Sequence, residues 1–190
     1  MSNRRAGRER RTVPPAPTIG VERLLSFTEG DLADLCDAAE DAIEAGGGFG
    51  WLKPPPRHVM ESYWQGVLLV PGRELFVARL DGVIAGSAQL VHPPKNNEAQ
   101  AFAAHLTTSF VAPWARGHGL ARALLTAVEQ EAIDCGYQVL KLDVRETQAA
   151  AIALYESRGY VRWGVDPYYA QVEGKVIRGF YYYKTLVVTP

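Results

Sequence analysis

The chain has 190 residues, 47% hydrophobic and 22% charged, and a net charge of −1. That size and balance give one globular domain with room for a core and a pocket, and they remove any global electrostatic case for binding nucleic acid or an acidic membrane. No apolar run reaches the ~20 residues of a membrane-spanning helix. Cys36 and Cys135 stand far apart, without metal-ligand spacing or a CxxC, and read as reduced, structural thiols of a cytoplasmic protein with no metal.

Residues 1–20 carry Arg4, Arg5, Arg8, Arg10 and Arg11, then Pro14, Pro15 and Pro17. Without apolar periodicity they read as a disordered, solvated tail, the other reading being a basic arm for a partner. They lack the apolar centre of a secretory signal. Residues 21–190 form the domain. Val21 to Phe27 is a short strand, and Thr28-Glu29-Gly30-Asp31 has the form of a capping box. The helix behind it places Leu32, Leu35, Cys36, Ala39 and Ile43 on one face and ends at Gly46-Gly47-Gly48. Its opposite face, Asp34, Asp37, Glu40, Asp41 and Glu44, is a solvated face or, alternatively, a field that draws a cationic amine. After Pro54-Pro55-Pro56 a second helix spans about Arg57 to Leu69. Trp51 and Trp64 either line a pocket or anchor the core.

From Glu74 the period changes to that of strands. Leu75 to Leu80, an Asp81-Gly82 turn and Val83 to Val91 form a hairpin. Pro93 to Asn97 is a polar connection, and Ala101 to Val111 is the next strand. It breaks at Pro113 and turns through Arg116-Gly117-His118-Gly119 into a helix that runs to about Cys135 and stops at Gly136. Val139 to Val144 is a buried strand, Thr147 to Ser157 a helix, and Tyr160 to Val165 and Val176 to Val188 are the last strands. Hairpins followed by β-α-β-α-β-β give an α/β domain on a mixed sheet.

The stretch from Leu106 to Ala127 is the chemically distinctive one. A strand, a glycine-bearing turn and a helix start make an anion site, because the first N–H groups of a helix lack internal partners and sit at the positive end of its dipole. Glycine lets the backbone approach a phosphate closely.

These residues resemble the GCN5-related N-acetyltransferase superfamily. Arg116-Gly117-His118-Gly119-Leu120-Ala121 is similar to the family's Q/R-x-x-G-x-G/A signature, and Val111-Ala112-Pro113 to its lead-in. Leu142 to Tyr155, followed by Gly159-Tyr160, resembles its second motif, about 25 residues further on. Two departures stand out: Gln148 replaces the motif's asparagine, and Tyr160 its closing phenylalanine. The resemblance implies the acyl-CoA N-acyltransferase fold: a mixed, mostly antiparallel sheet splayed into a V, with helices on both faces. The V opens between the strands Ala101–Val111 and Val139–Val144, and acetyl-CoA enters it. By the same resemblance, the backbone of Phe110 and Val111 pairs with the pantetheine arm. The N–H groups from Arg116 through Gly117, His118, Gly119 and Leu120 to Ala121 cradle the pyrophosphate, and Gln148 orients the cofactor arm or the start of its helix.

The implied reaction is direct acetyl transfer from acetyl-CoA to a primary amine of a small molecule or peptide. It needs a proton acceptor for the amine, a donor near Val111 for the developing oxyanion, and an acid for the departing thiolate. Tyr155 matches the family's acid. Glu98 or His105, beside or on the strand lining the site, is the candidate base, and ordered water is the alternative. Tyr168, Tyr169 and Tyr181-Tyr182-Tyr183 either border the acceptor pocket or fill the sheet core. Alternative readings are an O-acyltransferase and a non-catalytic acyl-CoA sensor. The protein is expected to be a monomer or homodimer.

Overall fold

A computed structural model describes residues 16–28, 30–47 and 50–186. Most of the basic segment (residues 1–15), the capping-box residue Glu29, Gly48 and the Val187–Val188 end of the last predicted strand lie outside the described residues. Within them the order is β1 (Ile19–Leu24), α1 (Asp31–Glu44), α2 (Arg57–Leu69), β2 (Arg73–Leu80), β3 (Val83–Val91), β4 (Ala103–Val111), α3 (Leu120–Asp134), β5 (Val139–Arg145), α4 (Ala149–Ser157), β6 (Val161–Val172) and β7 (Lys175–Thr185). β1 thus begins inside the span read as tail. β6 continues seven residues past the predicted Val165, because β7 runs alongside it as far as Lys175.

The seven strands form one sheet in the order β1-β2-β3-β4-β5-β7-β6. Neighbours pair antiparallel except β4 and β5, which are parallel. The β2–β3 hairpin turns at Asp81 and Gly82, both at positive φ (52° and 89°), as a tight two-residue hairpin requires.

The strand alternation separates two apolar layers. Phe76, Ala78 and Leu80 of β2 face α3 and α4, whose Leu120, Leu124, Leu125, Val128 and Tyr155 complete that core. Leu75 and Val77 face the opposite way, onto Leu35, Ile43, Met60 and Trp64 of α1 and α2. Fully burying a side chain such as Leu124 stabilises the fold by about 1.5–3 kcal/mol, so the helical periods alone drive both layers onto the sheet. Trp64 is fully buried and belongs to the core.

The parallel ladder is short: Ala103, Ala104 and His105 pair with Val139, Leu140 and Lys141. Beyond it β4 runs on to Val111 and β5 to Arg145 without pairing to each other. A bulge in β4 accompanies the split. Ser87 pairs with Phe110 and Gln89 with Thr107, so Thr108 and Ser109 together oppose Ala88, and Thr108 sits at φ 49°. An extra residue bends the strand that carries it, and the sheet opens into a V.

Candidate active site

Two cavities meet inside the V. The larger, about 700 Å³, is lined by Ser109, Phe110 and Val111 of β4, Arg116 and Ala121 of the following turn and helix, and Gln148 and Tyr155. The smaller, about 510 Å³, is lined by Thr107, Thr108 and Ser109, by Asp143 and Arg145 of β5, and by Leu52, Tyr155 and Tyr169. Ser109 and Tyr155 stand in the wall that both share.

The turn at the mouth of the larger cavity follows from its sequence. Pro113 opens a single 3₁₀ turn, Pro113–Ala115, which the Ala115 and Arg116 N–H groups close onto the carbonyls of Ala112 and Pro113. Gly117 and Gly119 then adopt φ of 84° and 82°, the left-handed region that glycine enters without a Cβ penalty. Gly119 caps the 15-residue α3. Among the described residues, no backbone carbonyl accepts from the N–H groups of Gly117 through Arg122. Convergent free donors, the positive end of a helix and the Arg116 guanidinium on the cavity wall fit a pyrophosphate.

Within the sequence-assigned set, some roles change. The Arg116 N–H is already used inside the turn, so its side chain faces the cavity while its backbone does not donate there. The His118 side chain is held by its own turn, Nδ1 lying 3.2 Å from the Ala115 carbonyl. The Leu120 side chain is core, leaving only its N–H at the turn. Gln148 lines the cavity, but its amide donates to the Gly46 carbonyl at 2.7 Å. That bond ties the start of α4 to the end of α1 across the mouth of the V, so the longer glutamine side chain bridges protein to protein.

Tyr155 has its ring in the α3–α4 core, 5.7 Å from the Tyr160 ring and 6.4 Å from Tyr182, and is 7% exposed. It shares a cavity wall with Ser109 on the β4 bulge. Burial pushes the phenol up to about 12; the Ser109 contact pulls it down and Asp143 pushes it further up. The proton is therefore firmly held at neutral pH. The helix beneath is clamped: Arg158 and Lys184 each reach Glu129 of α3 at 2.9 Å, and the Tyr182 hydroxyl donates to Glu156 at 2.9 Å. Tyr182 is thus core, and Tyr168 is 80% exposed.

Glu98 and His105 are not brought to the cavities. Glu98 is exposed on a 3₁₀ turn before β4, at the closed end of the V. His105 is in the last rung of the ladder, beside Lys141, and lines neither cavity. Desolvation and the nearby Lys141 ammonium hold its imidazole below the ordinary value, partly offset by Asp143.

The structure presents Asp143 instead, on the wall of the smaller cavity, with the Tyr169 hydroxyl donating to its carboxylate. One signal was available in β5. Val139-Leu140-Lys141-Leu142-Asp143-Val144-Arg145 alternates, with Leu140, Leu142 and Val144 in the core and three charged residues on the other face. Ser109 carried no comparable signal, because it depends on a bulge. Of the two tryptophans, Trp51 lines the larger cavity and packs edge-on against Tyr63 at 5.0 Å.

A V-shaped cleft in a mixed sheet, with a glycine-bearing turn at a helix start on one side and a buried tyrosine between two cavities, suits an enzyme that takes a phosphorylated carrier. Residues 35–160 match the acetyltransferase (GNAT) family, and the chain belongs to it. An Azospirillum brasilense protein described as an uncharacterized N-acetyltransferase in the hisH–hisA intergenic region is 70% identical over 130 residues, covering 68% of this chain and 77% of that one. A Salmonella typhimurium protein solved with its cofactor acetyl-CoA superposes with a TM-score of 0.72 at 19% identity, covering 89% and 94% of the two chains. A ribosomal-protein-alanine N-acetyltransferase from Brucella melitensis superposes with a TM-score of 0.72 at 25% identity, covering 87% and 99%.

Proposed function

We propose that this chain is an N-acetyltransferase that moves the acetyl group of acetyl-CoA directly to a primary amine of a small molecule or peptide. The observation that carries this reading is the position of the Tyr155 hydroxyl, in the wall between the cavity that bears the phosphate turn and the cavity that bears Asp143. When bound, acetyl-CoA supplies an acetyl thioester whose sulfur leaves as the new bond forms. The free N–H groups of Gly117 to Ala121 and the Arg116 side chain hold the pyrophosphate, which fixes where the arm enters the V. The edge of β4 at Phe110 and Val111 borders the arm, and the split from β5 leaves room for it.

On the acceptor side, Asp143 takes the proton that the ammonium must lose before its nitrogen can attack, directly or through a water. It replaces Glu98 and His105 in that role. Tyr155 holds its proton at the seam and delivers it to the leaving sulfur. Its elevated affinity for the proton keeps it charged with one throughout the physiological range. Positioning by the rigid sheet does the remainder, since oriented partners react far faster than free ones.

The test is an acceptor panel of primary amines, amino acids and N-terminal peptides, with release of free CoA followed by a thiol reagent and the acetylated product identified by mass spectrometry. Amide product from at least one amine supports the reading. Tight acetyl-CoA binding with no amide from any class would replace it with the sensor reading, and ester product with the O-acyltransferase.

A further inference from the structure

Tyr169 reaches Asp143 by an unusual route. Opposite β7, Asp166 pairs with Gly179 and Ala170 with Ile177, so Pro167, Tyr168 and Tyr169 together face the single residue Arg178. This bulge lifts Tyr169 out of the ladder and lays its ring over the backbone of Gly179. A Cβ at position 179 would overlap that ring, and Gly179 has no positive φ to explain its glycine. The ring is steadied from the side by Tyr181, edge-on at 6.3 Å. It ends with its hydroxyl on the Asp143 carboxylate, in the wall of the smaller cavity.

Resting on the N-acetyltransferase reading, we infer that Tyr169 is a positioning residue that holds one oxygen of Asp143 so that the other receives the ammonium of an acceptor that is cationic in solution. Gly179 is the seat that admits it. A carboxylate at a strand end has a rotamer to choose, and a fixed donor on one oxygen leaves the second aimed at the cavity. The acceptor class follows from the charge. An alkylamine arrives protonated, needs the carboxylate for both binding and proton loss, and gains from its being fixed. An arylamine arrives neutral and gains little. The other charged or titratable groups facing Asp143 are His105 from β4, Lys141 and Arg145 from its own strand, Tyr155 from α4 and Tyr181 from β7. Tyr169 donates a hydrogen bond to the carboxylate. Burial and the Asp143 carboxylate both push the Tyr169 phenol upward, so it remains a donor.

The experiment measures kcat and KM for primary alkylamines and for aniline in the wild type, Tyr169→Phe, Asp143→Asn, their double variant and Gly179→Ala, with acetyl-CoA affinity followed by calorimetry. Tyr169→Phe is expected to lower kcat/KM for alkylamines about tenfold while leaving aniline and acetyl-CoA affinity unchanged, the size of one charge-assisted hydrogen bond. The double variant should be no worse than Asp143→Asn alone, because Tyr169 acts through that carboxylate. Gly179→Ala should reproduce the alkylamine loss, because the added Cβ would overlap Cγ of the Tyr169 ring. An unchanged alkylamine rate in Tyr169→Phe overturns the inference, as does a double variant whose losses multiply, or a wild type that prefers aniline. A wild type that binds acetyl-CoA and acetylates no amine overturns the N-acetyltransferase reading itself, and is recognised before any variant is made.

Discussion

Tyr155, on the second turn of α4, and Ser109, on the bulge of β4, stand together in the wall that the two cavities share. That places the Tyr155 side chain at the seam between the two cavities. It also sets the first prediction. Tyr155→Phe keeps the ring in its core of Tyr160 and Tyr182 and removes only the proton. We expect kcat to fall about 100-fold or more, the usual contribution of a positioned acid, with acetyl-CoA affinity by calorimetry unchanged. The pH dependence follows from the direction of the shift. The folded phenol, at about 12, lies above its free value near about 10. Its contribution to stability is complete below pH about 10 and is lost as pH rises towards 12. Alkaline melting curves should therefore steepen from pH about 10 upward in the wild type and less in Tyr155→Phe.

The second prediction concerns Gly119. A Cβ there would meet nothing within 4 Å, yet φ is 82°. Gly119→Glu therefore costs the fold only about 1–2 kcal/mol of left-handed strain. The carboxylate it adds stands where the free N–H groups converge. Acetyl-CoA binding should vanish in calorimetry while the circular dichroism spectrum is retained. Retained binding would remove the phosphate-turn assignment.

Gln148 supplies the third. Its bond to the Gly46 carbonyl, and the Gly47 N–H donating to Ala42, hold the end of α1 against the start of α4. Gln148→Ala should raise amide hydrogen exchange at Gly47 and neighbouring residues. Gln148→Asn should do so too, because its chain is one methylene short. A substitution that left exchange there unaltered would show the bond to be incidental.

The fourth tests α1. Asp31, 4% exposed, accepts from the Thr28 backbone at 2.9 Å and from Arg79 at 2.8 Å. Burial alone would raise its carboxyl, but the Thr28 and Arg79 contacts outweigh burial and hold it below the ordinary range. That stability is present above the unfolded value near about 3.9 and is lost as pH falls through the lower folded value. Asp31→Ala should cost about 2 kcal/mol in denaturant unfolding at pH 7, the scale of a charged hydrogen bond, and the cost should shrink as the pH is taken below 4.

The same residue shows how far local sequence reaches. Thr28 to Asp31 has the spacing of a capping box with Thr28 as the N-cap, yet α1 begins two residues later than that spacing puts it, at Asp31. Gly30, however, is the N-cap, and Asp31 at the first helical position reaches back to Thr28 because Arg79 arrives from β2, 48 residues away. Local order was readable; the partner was not.

Sequence alone determined the elements, the hairpin at Asp81-Gly82, the glycine turn at Gly117 and Gly119 ahead of α3 and the place of Tyr155 on α4. Each of these depends on periods and turn chemistry within a few residues. Tertiary structure decided which side chains share a space. The bulges at Thr108–Ser109 and at Pro167–Tyr169 are register events between strands, invisible in either strand by itself, and they place Ser109 against Tyr155 and Tyr169 against Asp143. Glu98 and His105 were assigned by proximity in sequence to the lining strand. The short parallel ladder leaves them at the closed end, because a strand has two ends and only the pairing says which one opens.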